Sequence, residues 1–312
     1  MPTDERTGPG TEALLLLRAA RRTGVLEALL SSAGTPAEVA AETEVAEPEA
    51  RRLVGTLADL GFFEVVGDEY EPTNRALGLL AKRDVRSIGS IPHELDRLDE
   101  LVGLPETLET GVPPERHGDW EANALGAHYA TDEATVRACV TAAVRAAADA
   151  ESVVNLCGGS GVYAREFAAR GLDATLVASP ATAERLGRVH GDDVRVHEGV
   201  PATLDPGFDV AFLGDALSAM DPPEARATCA VAADLLGGDG AVVATDVFDA
   251  GDAGDDRGEA AVAAAVHGLA SGHGGAHPPE AVRDWFTEAG LSDVRVSAIP
   301  GTDRHAAVGD MG

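Results

Sequence analysis

The sequence predicts an α/β protein: a doubly wound, mostly parallel sheet preceded by a smaller and mainly α-helical domain. Three observations predict it. Residues 153–170, VVNLCGGSGVYAREFAAR, change character twice within a dozen positions. A β-branched pair (Val153, Val154) meets a glycine cluster (Gly158, Gly159, Gly161), and a helical pattern follows with Val162, Tyr163, Phe167 and Ala168 on one face. That is strand, tight turn, helix. Beyond it, short β-branched runs alternate with helical runs as far as residue 246, a rhythm that implies parallel strands joined by covering helices. Ahead of it, three helical patterns and a hairpin show no such alternation.

Taken in order, residues 1–10 read as a polar tail. From Thr11 one helix is expected, with Leu14, Leu17, Val25, Leu26, Leu29 and Leu30 on its apolar faces. Thr35 can cap a second, short helix reaching about Thr43, with Pro36 in its first turn and Glu38 three residues on. Leu53, Val54, Leu57 and Leu60 carry a third over 47–60, which Gly61 stops. Residues 62–70 read as a hairpin turning at Gly67 and Asp68. Three helices and a two-stranded wing make a winged-helix shape over residues 11–80. The shape alone points to DNA, but the segment holds six arginines against twelve acids, so a winged helix used for packing is the better reading.

Residues 84–150 read as a helical connector or lid, with a loop near Gly111 and an alanine-rich helix at about 132–148. Trp120, His128 and Tyr129 are its candidate substrate contacts, with ordinary packing as the alternative for each. In the last segment, 151–312, strands are expected at 153–156, 174–177, 194–197, 209–213 and 241–246, and helices at about 162–170, 181–188 and 223–236. An acidic, glycine-rich loop (249–258), helices at 259–270 and 279–289, and a strand pair at 294–299 and 304–308 close the chain. Ligands of such sheets bind at the carboxyl ends of the strands. Glycines in the first turn let backbone approach a ligand, and the N–H groups opening the next helix can donate to it, so 157–161 reads as a nucleotide-type binding turn.

Composition narrows the classes. With 53 Asp and Glu against 24 Lys and Arg, and Lys82 as the sole lysine, the acids are spread from end to end. That is how a halophile's surface reads, where repulsion is screened within about 3 Å at 1 M salt. The same balance argues against nucleic acid, and the absence of a long apolar run against membrane insertion, leaving a cytoplasmic protein as the expectation. Cys139, Cys157 and Cys229 are isolated, so neither a disulfide framework nor a zinc site is expected. His267, His273 and His277 fall in HGLASGHGGAH, which reads as a glycine-rich loop rather than a ligand set.

The order of parts over residues 11–309 resembles the S-adenosylmethionine-dependent O-methyltransferases that dimerise through an N-terminal winged-helix domain. The matching stretches are Leu57-Ala-Asp-Leu-Gly-Phe-Phe, Gly158-Gly-Ser-Gly, Asp209-Val-Ala-Phe-Leu, and Gly274-Gly-Ala-His followed by Trp285 and Ala289-Gly290. The resemblance implies a Rossmann-like methyltransferase domain, S-adenosylmethionine as cofactor, a small-molecule methyl acceptor and a homodimer. Carried over residue by residue, it implies Asn155, Cys157, Gly158, Gly159, Gly161 and Ser179 as cofactor-binding positions. Asp215 would hold the methionine ammonium, and Asp215, Ser218 and Asp246 are the candidate catalytic residues. Four positions depart from the family: Asn155 replaces an acid, Cys157 a glycine, Ala178 or Ser179 the ribose-binding acid, and Ser218 the histidine base. A serine takes no proton at neutral pH without help, so transfer would rest on proximity to an acidic or pre-ionised acceptor.

Other readings remain open. The site could have decayed, leaving a binding or scaffold protein. Gly159-Ser-Gly161-Val-Tyr-Ala164 also satisfies a dinucleotide fingerprint, though the acid expected about 20 residues later is missing. A DNA-binding regulator rests on the N-terminal shape alone.

Overall fold

The computed structural model describes residues 10–77, 84–187, 189–250 and 258–312. Most of the N-terminal tail, Lys82 and most of the acidic loop at 249–258 lie outside the described residues. The chain divides into two compact units, one of residues up to Val102 with Glu115–Ala127, the other of Gly103–Pro114 with His128–Gly312.

The first unit opens with α1 (Thr11–Arg22) and α2 (Val25–Ser31), where one continuous helix was expected. The leucine pattern runs across both, but Gly24 adopts φ 76° and breaks the helix between them. Next come α3 (Pro36–Glu42) and α4 (Glu47–Asp59). Thr35 and Glu38 form the expected capping box at the start of α3. A hairpin, β1 (Phe63–Val66) with β2 (Glu69–Pro72), follows, then the short helices α5 (Asn74–Leu77) and α6 (Val85–Ile88). Leu17, Val25, Val39, Val54, Leu57, Phe62 and Phe63 form this unit's core. Two helices cross from one unit to the other: α7 (Ile91–Thr110) and α8 (Trp120–Tyr129).

The second unit continues with α9 (Glu133–Ala146), β3 (Ser152–Leu156), α10 (Val162–Ala169), β4 (Asp173–Ala178), α11 (Pro180–Leu186) and β5 (Val194–Glu198). After these come β6 (Phe208–Gly214), α12 (Pro222–Asp234), β7 (Leu236–Asp246), α13 (Glu259–Ser271), α14 (Pro279–Glu288), β8 (Leu291–Ala298) and β9 (His305–Met311). The seven strands lie in the order β5-β4-β3-β6-β7-β9-β8, with β9 antiparallel to both neighbours and the others parallel. This is the predicted doubly wound sheet. β7 and β8 begin earlier than the local pattern implies. Leu236 pairs with Phe208 ahead of a register shift, and Leu291 pairs with Met311, so glycine-rich and polar positions are drawn into the ladder by their partners.

The chain leaves β3 for β4 and β5 on one side, then returns to lay β6 on the other. The switch point therefore lies between the carboxyl ends of β3 and β6, where sheets of this kind bind ligands.

Candidate active site

The turn after β3 carries an unusual run of left-handed backbone: Cys157 at φ 51°, Gly159 at 50° and Gly161 at 74°. Cys157 holds a conformation that L side chains other than Asn and Asp seldom adopt, so the fold keeps a glycine-like turn where the residue is not glycine. Gly161 N donates to Gly158 O (2.7 Å), closing the turn, and α10 begins at once without a side-chain cap. Asn155 lies buried beneath. Its Nδ2 donates to Phe212 O at 3.3 Å while its buried Oδ1 has no partner among the described residues. A Cβ on Gly158 would sit 2.4 Å from that oxygen, so the glycine is there to admit the amide.

Across the switch point, Asp215 follows β6 with φ 52°. Its Oδ2 accepts from Tyr163 Oη at 2.6 Å and its Oδ1 from Arg304 Nε at 2.7 Å. Burial, and then the Asp215 charge, push the Tyr163 phenol far above its ordinary range. Burial alone would lower Arg304, but Asp215 outweighs it and holds the guanidinium above its usual value. Both carboxylate oxygens of Asp215 are thus engaged within the chain.

Asp246, at the end of β7, is 1% exposed. Its Oδ2 accepts from Ser218 N (2.9 Å) and its Oδ1 from Val247 N (2.7 Å). The Ser218 carbonyl accepts from Gly275 N (2.8 Å), and His277 Nε2 lies 2.9 Å from Leu217 O. Asp246 and the loop at 273–277 therefore brace the turn that carries Ser218. At the end of β4, Ser179 uses its Oγ to cap α11 by accepting from Thr182 N at 3.1 Å.

The structure thus brings Asn155, Cys157, the three glycines, Asp215, Ser218 and Asp246 to the carboxyl edge of the sheet, and puts Ser179 at the end of the neighbouring strand. The connector residues go separate ways. Trp120, in the first unit, lies under the Arg116 guanidinium (4.0 Å to the ring centre) and against His93. Tyr129 Oη accepts from Arg165 (2.6 Å), and His128 meets Ser160. Arg304 and His190 join the site without any local motif to announce them, and Tyr163, which reads as core, is also the donor to Asp215.

Burial, and then repulsion from Asp215, raise the Asp246 carboxyl to about 6. A carboxyl raised above its unfolded value of about 3.9 binds more protons folded than unfolded in the window between them, so its contribution to stability is lost as pH rises from about 4 through about 6. The Asp246→Asn variant removes this dependence. In urea unfolding at molar KCl, wild type should gain up to about 3 kcal/mol on the variant between about pH 7.5 and about pH 4. A wild-type-to-variant difference that stays constant with pH would refute the assignment.

No family model matches the sequence, and no curated protein matches it. Solved structures, methyltransferases among them, are similar in fold. PigF, solved with SAH, gives a TM-score of 0.70 at 17% identity, covering 95% of this chain and 95% of its own. An O-methyltransferase family protein from Burkholderia thailandensis gives 0.62 at 23% identity, over 96% and 95%. Human N-acetylserotonin methyltransferase, solved in complex with SAM, gives 0.63 at 18%, over 96% and 94%. At these identities the likeness is one of architecture, and the chain has the Rossmann-like fold of these methyltransferases.

Proposed function

We propose that this chain is an S-adenosylmethionine-dependent methyltransferase acting on a small molecule, O-methyltransferase-like in its architecture and working without a histidine base at Ser218. The observation that carries the reading is the turn at 157–161. Its backbone stays in the glycine-like form even at Cys157, at the switch point between β3 and β6. The turn fits the cofactor in its backbone: Cys157, Gly159 and Gly161 hold left-handed conformations, and Asn155 beneath them holds a buried oxygen with no partner among the described residues. The turn backbone from Cys157 to Gly161, Asn155 and the Ser179 position are the groups that would hold it. When bound, S-adenosylmethionine supplies an electrophilic methyl group.

In this reading Asp215, bound to Arg304 and Tyr163, shapes the floor of the site, and Asp246 fixes the backbone at Ser218. With no free base at either residue, the favoured acceptor is one that ionises easily by itself, such as an acidic phenol or a carboxylate, and positioning supplies the acceleration. We read residues 11–80 as a winged-helix packing module, 84–150 as connector and lid, and 151–312 as the catalytic domain of a homodimer adapted to high salt. Light scattering that returns a monomer at molar KCl would remove the dimer.

A second reading, a binding or scaffold protein descended from a methyltransferase, is favoured by two observations: Ser179 caps a helix where an acid is expected, and each oxygen of Asp215 already accepts a hydrogen bond from within the chain. Calorimetric titration at molar KCl, with NAD as control, separates the two. Micromolar binding of S-adenosylmethionine alone is the expected result. Folded protein that gives no heat with either ligand would leave the scaffold reading.

A further inference from the structure

Ser160, inside the glycine turn, has no exposed surface, and its polar groups all meet histidine rings. His128 Nδ1 lies 3.1 Å from the Ser160 backbone N and 2.7 Å from its Oγ, and His190 Nε2 lies 2.6 Å from its carbonyl oxygen. The chemistry of each contact fixes a protonation state. A backbone N–H can only donate, so His128 Nδ1 is an acceptor and its ring is the neutral Nε2–H tautomer. A carbonyl can only accept, so His190 Nε2 carries its hydrogen. His190 Nδ1 is buried without a partner among the described residues, where a second proton would be stranded, so His190 is neutral as well. The glycines on either side make room for the rings: a Cβ on Gly159 would come within 3.0 Å of His128 Nδ1, and one on Gly161 within 2.6 Å of His190 Nε2.

We infer that His128 and His190 are positioning residues that clamp the glycine turn from both sides through Ser160, and that the clamp opens on the His128 side when that ring takes up a proton. The charges around each ring agree with this. Burial keeps His128 below the ordinary imidazole range, the Asp215 charge acting against burial and the Arg304 charge with it, while the Tyr163 ring packs against it at 5.7 Å. Burial and Arg165 hold His190 down against the opposing effect of its bond to Ser160. A protonated His128 would point N–H at N–H. Because the unfolded ring takes its proton below about pH 6.5 and the folded ring resists, protection of the turn falls as the pH falls through that value. The consequence for cofactor binding rests on the methyltransferase reading; the clamp itself does not.

The test is amide hydrogen exchange over residues 155–163 in the full chain at molar KCl without ligand, compared with intrinsic rates at about pH 8 and about pH 5.5. Titration with S-adenosylmethionine runs in parallel. His128→Leu and His190→Leu should speed exchange of the turn roughly tenfold or more at the higher pH. His128→Asn, whose amide oxygen can accept from Ser160 N–H but takes no proton, should lose less protection than wild type at the lower pH, the remaining loss belonging to His190. His190→Gln retains the donor and should rescue. If a leucine variant does not fold, the comparison of His128→Asn with wild type decides. Exchange in His128→Leu within about twofold of wild type, or the same acid-induced loss in His128→Asn as in wild type, would overturn the clamp. Cofactor affinity that follows protection across the variants supports the positioning role. Protection that responds as expected, in protein that binds no S-adenosylmethionine, leaves the clamp standing and sinks the methyltransferase reading.

Discussion

Replacing Asp215 with asparagine is expected to destabilise the second unit by about 3 kcal/mol, one of the two largest losses among the substitutions considered. The ion pair it breaks is more than half buried: Asp215 and Arg304 are each 18% exposed, with Nε and Oδ1 2.7 Å apart, and the buried Tyr163 hydroxyl donates to the other oxygen. Asparagine keeps the shape, accepts the left-handed backbone at φ 52° better than alanine would, and can still receive the tyrosine hydrogen bond. What it removes is the buried charge opposite Arg304, whose second ion pair, from Nη1 to the more exposed Asp303 at 2.6 Å, remains. Removing one member of a buried pair costs about 3–5 kcal/mol, and the residual exposure, together with the remaining Asp303 contact, puts this site at the low end. For a unit of this size the melting temperature should fall by roughly 6–12 °C. The double variant Asp215→Asn with Arg304→Met should recover part of the loss, because the stranded charge goes with it. Glu133→Gln provides the contrast. Its partner Arg137 is 60% exposed, and removing a surface pair on one helix should change stability by less than about 0.5 kcal/mol. A loss below about 1 kcal/mol for Asp215→Asn in urea unfolding would refute the ion pair's structural role.

The parts of this site that were legible in the sequence are those that local chemistry dictates. Gly158, Gly159 and Gly161 lie next to a β-branched strand and open a helix, and strand–turn–helix is the arrangement such a run can satisfy. Thr35 and Glu38 announce a helix start because both halves of the capping box lie within one turn. The strand–helix rhythm from residue 153 gives the sheet because each strand needs helices on both faces. What could not be read depends on distance. Arg304 reaches Asp215 from 89 positions away, and His128 and His190 reach Ser160 from 32 and 30. No periodicity encodes a pairing of that kind; it exists only once the topology has brought the strand ends together. The break at Gly24 was hidden for the opposite reason: the leucines on both sides face one core, so the apolar pattern continues through a change of helix. Cys157 combines both cases. Its departure from glycine was visible, but that the backbone would keep φ 51° regardless is a property of the surrounding turn.

Gly161→Ala should be as damaging as the loss of the Asp215 charge, for two separable reasons. At φ 74° alanine would sit in a left-handed conformation, at a cost of about 1–2 kcal/mol. Its Cβ would also arrive 2.6 Å from His190 Nε2 and 2.7 Å from Leu176 Cδ2, both on buried side chains that cannot swing into solvent. Overpacking of this kind adds about 1–3 kcal/mol. Gly171→Ala isolates the first contribution: it has φ 91°, and no atom of the described residues lies within 4 Å of the added carbon. Urea unfolding of the two variants should therefore place Gly161→Ala below Gly171→Ala by about 1–3 kcal/mol, the part that belongs to the histidine and leucine beneath the turn. Adding His190→Ala to Gly161→Ala should narrow the gap by opening space where the clash was, although His190→Ala alone is destabilising. Equal losses in Gly161→Ala and Gly171→Ala would mean that the turn has slack against His190, and that the glycine at 161 serves backbone conformation alone.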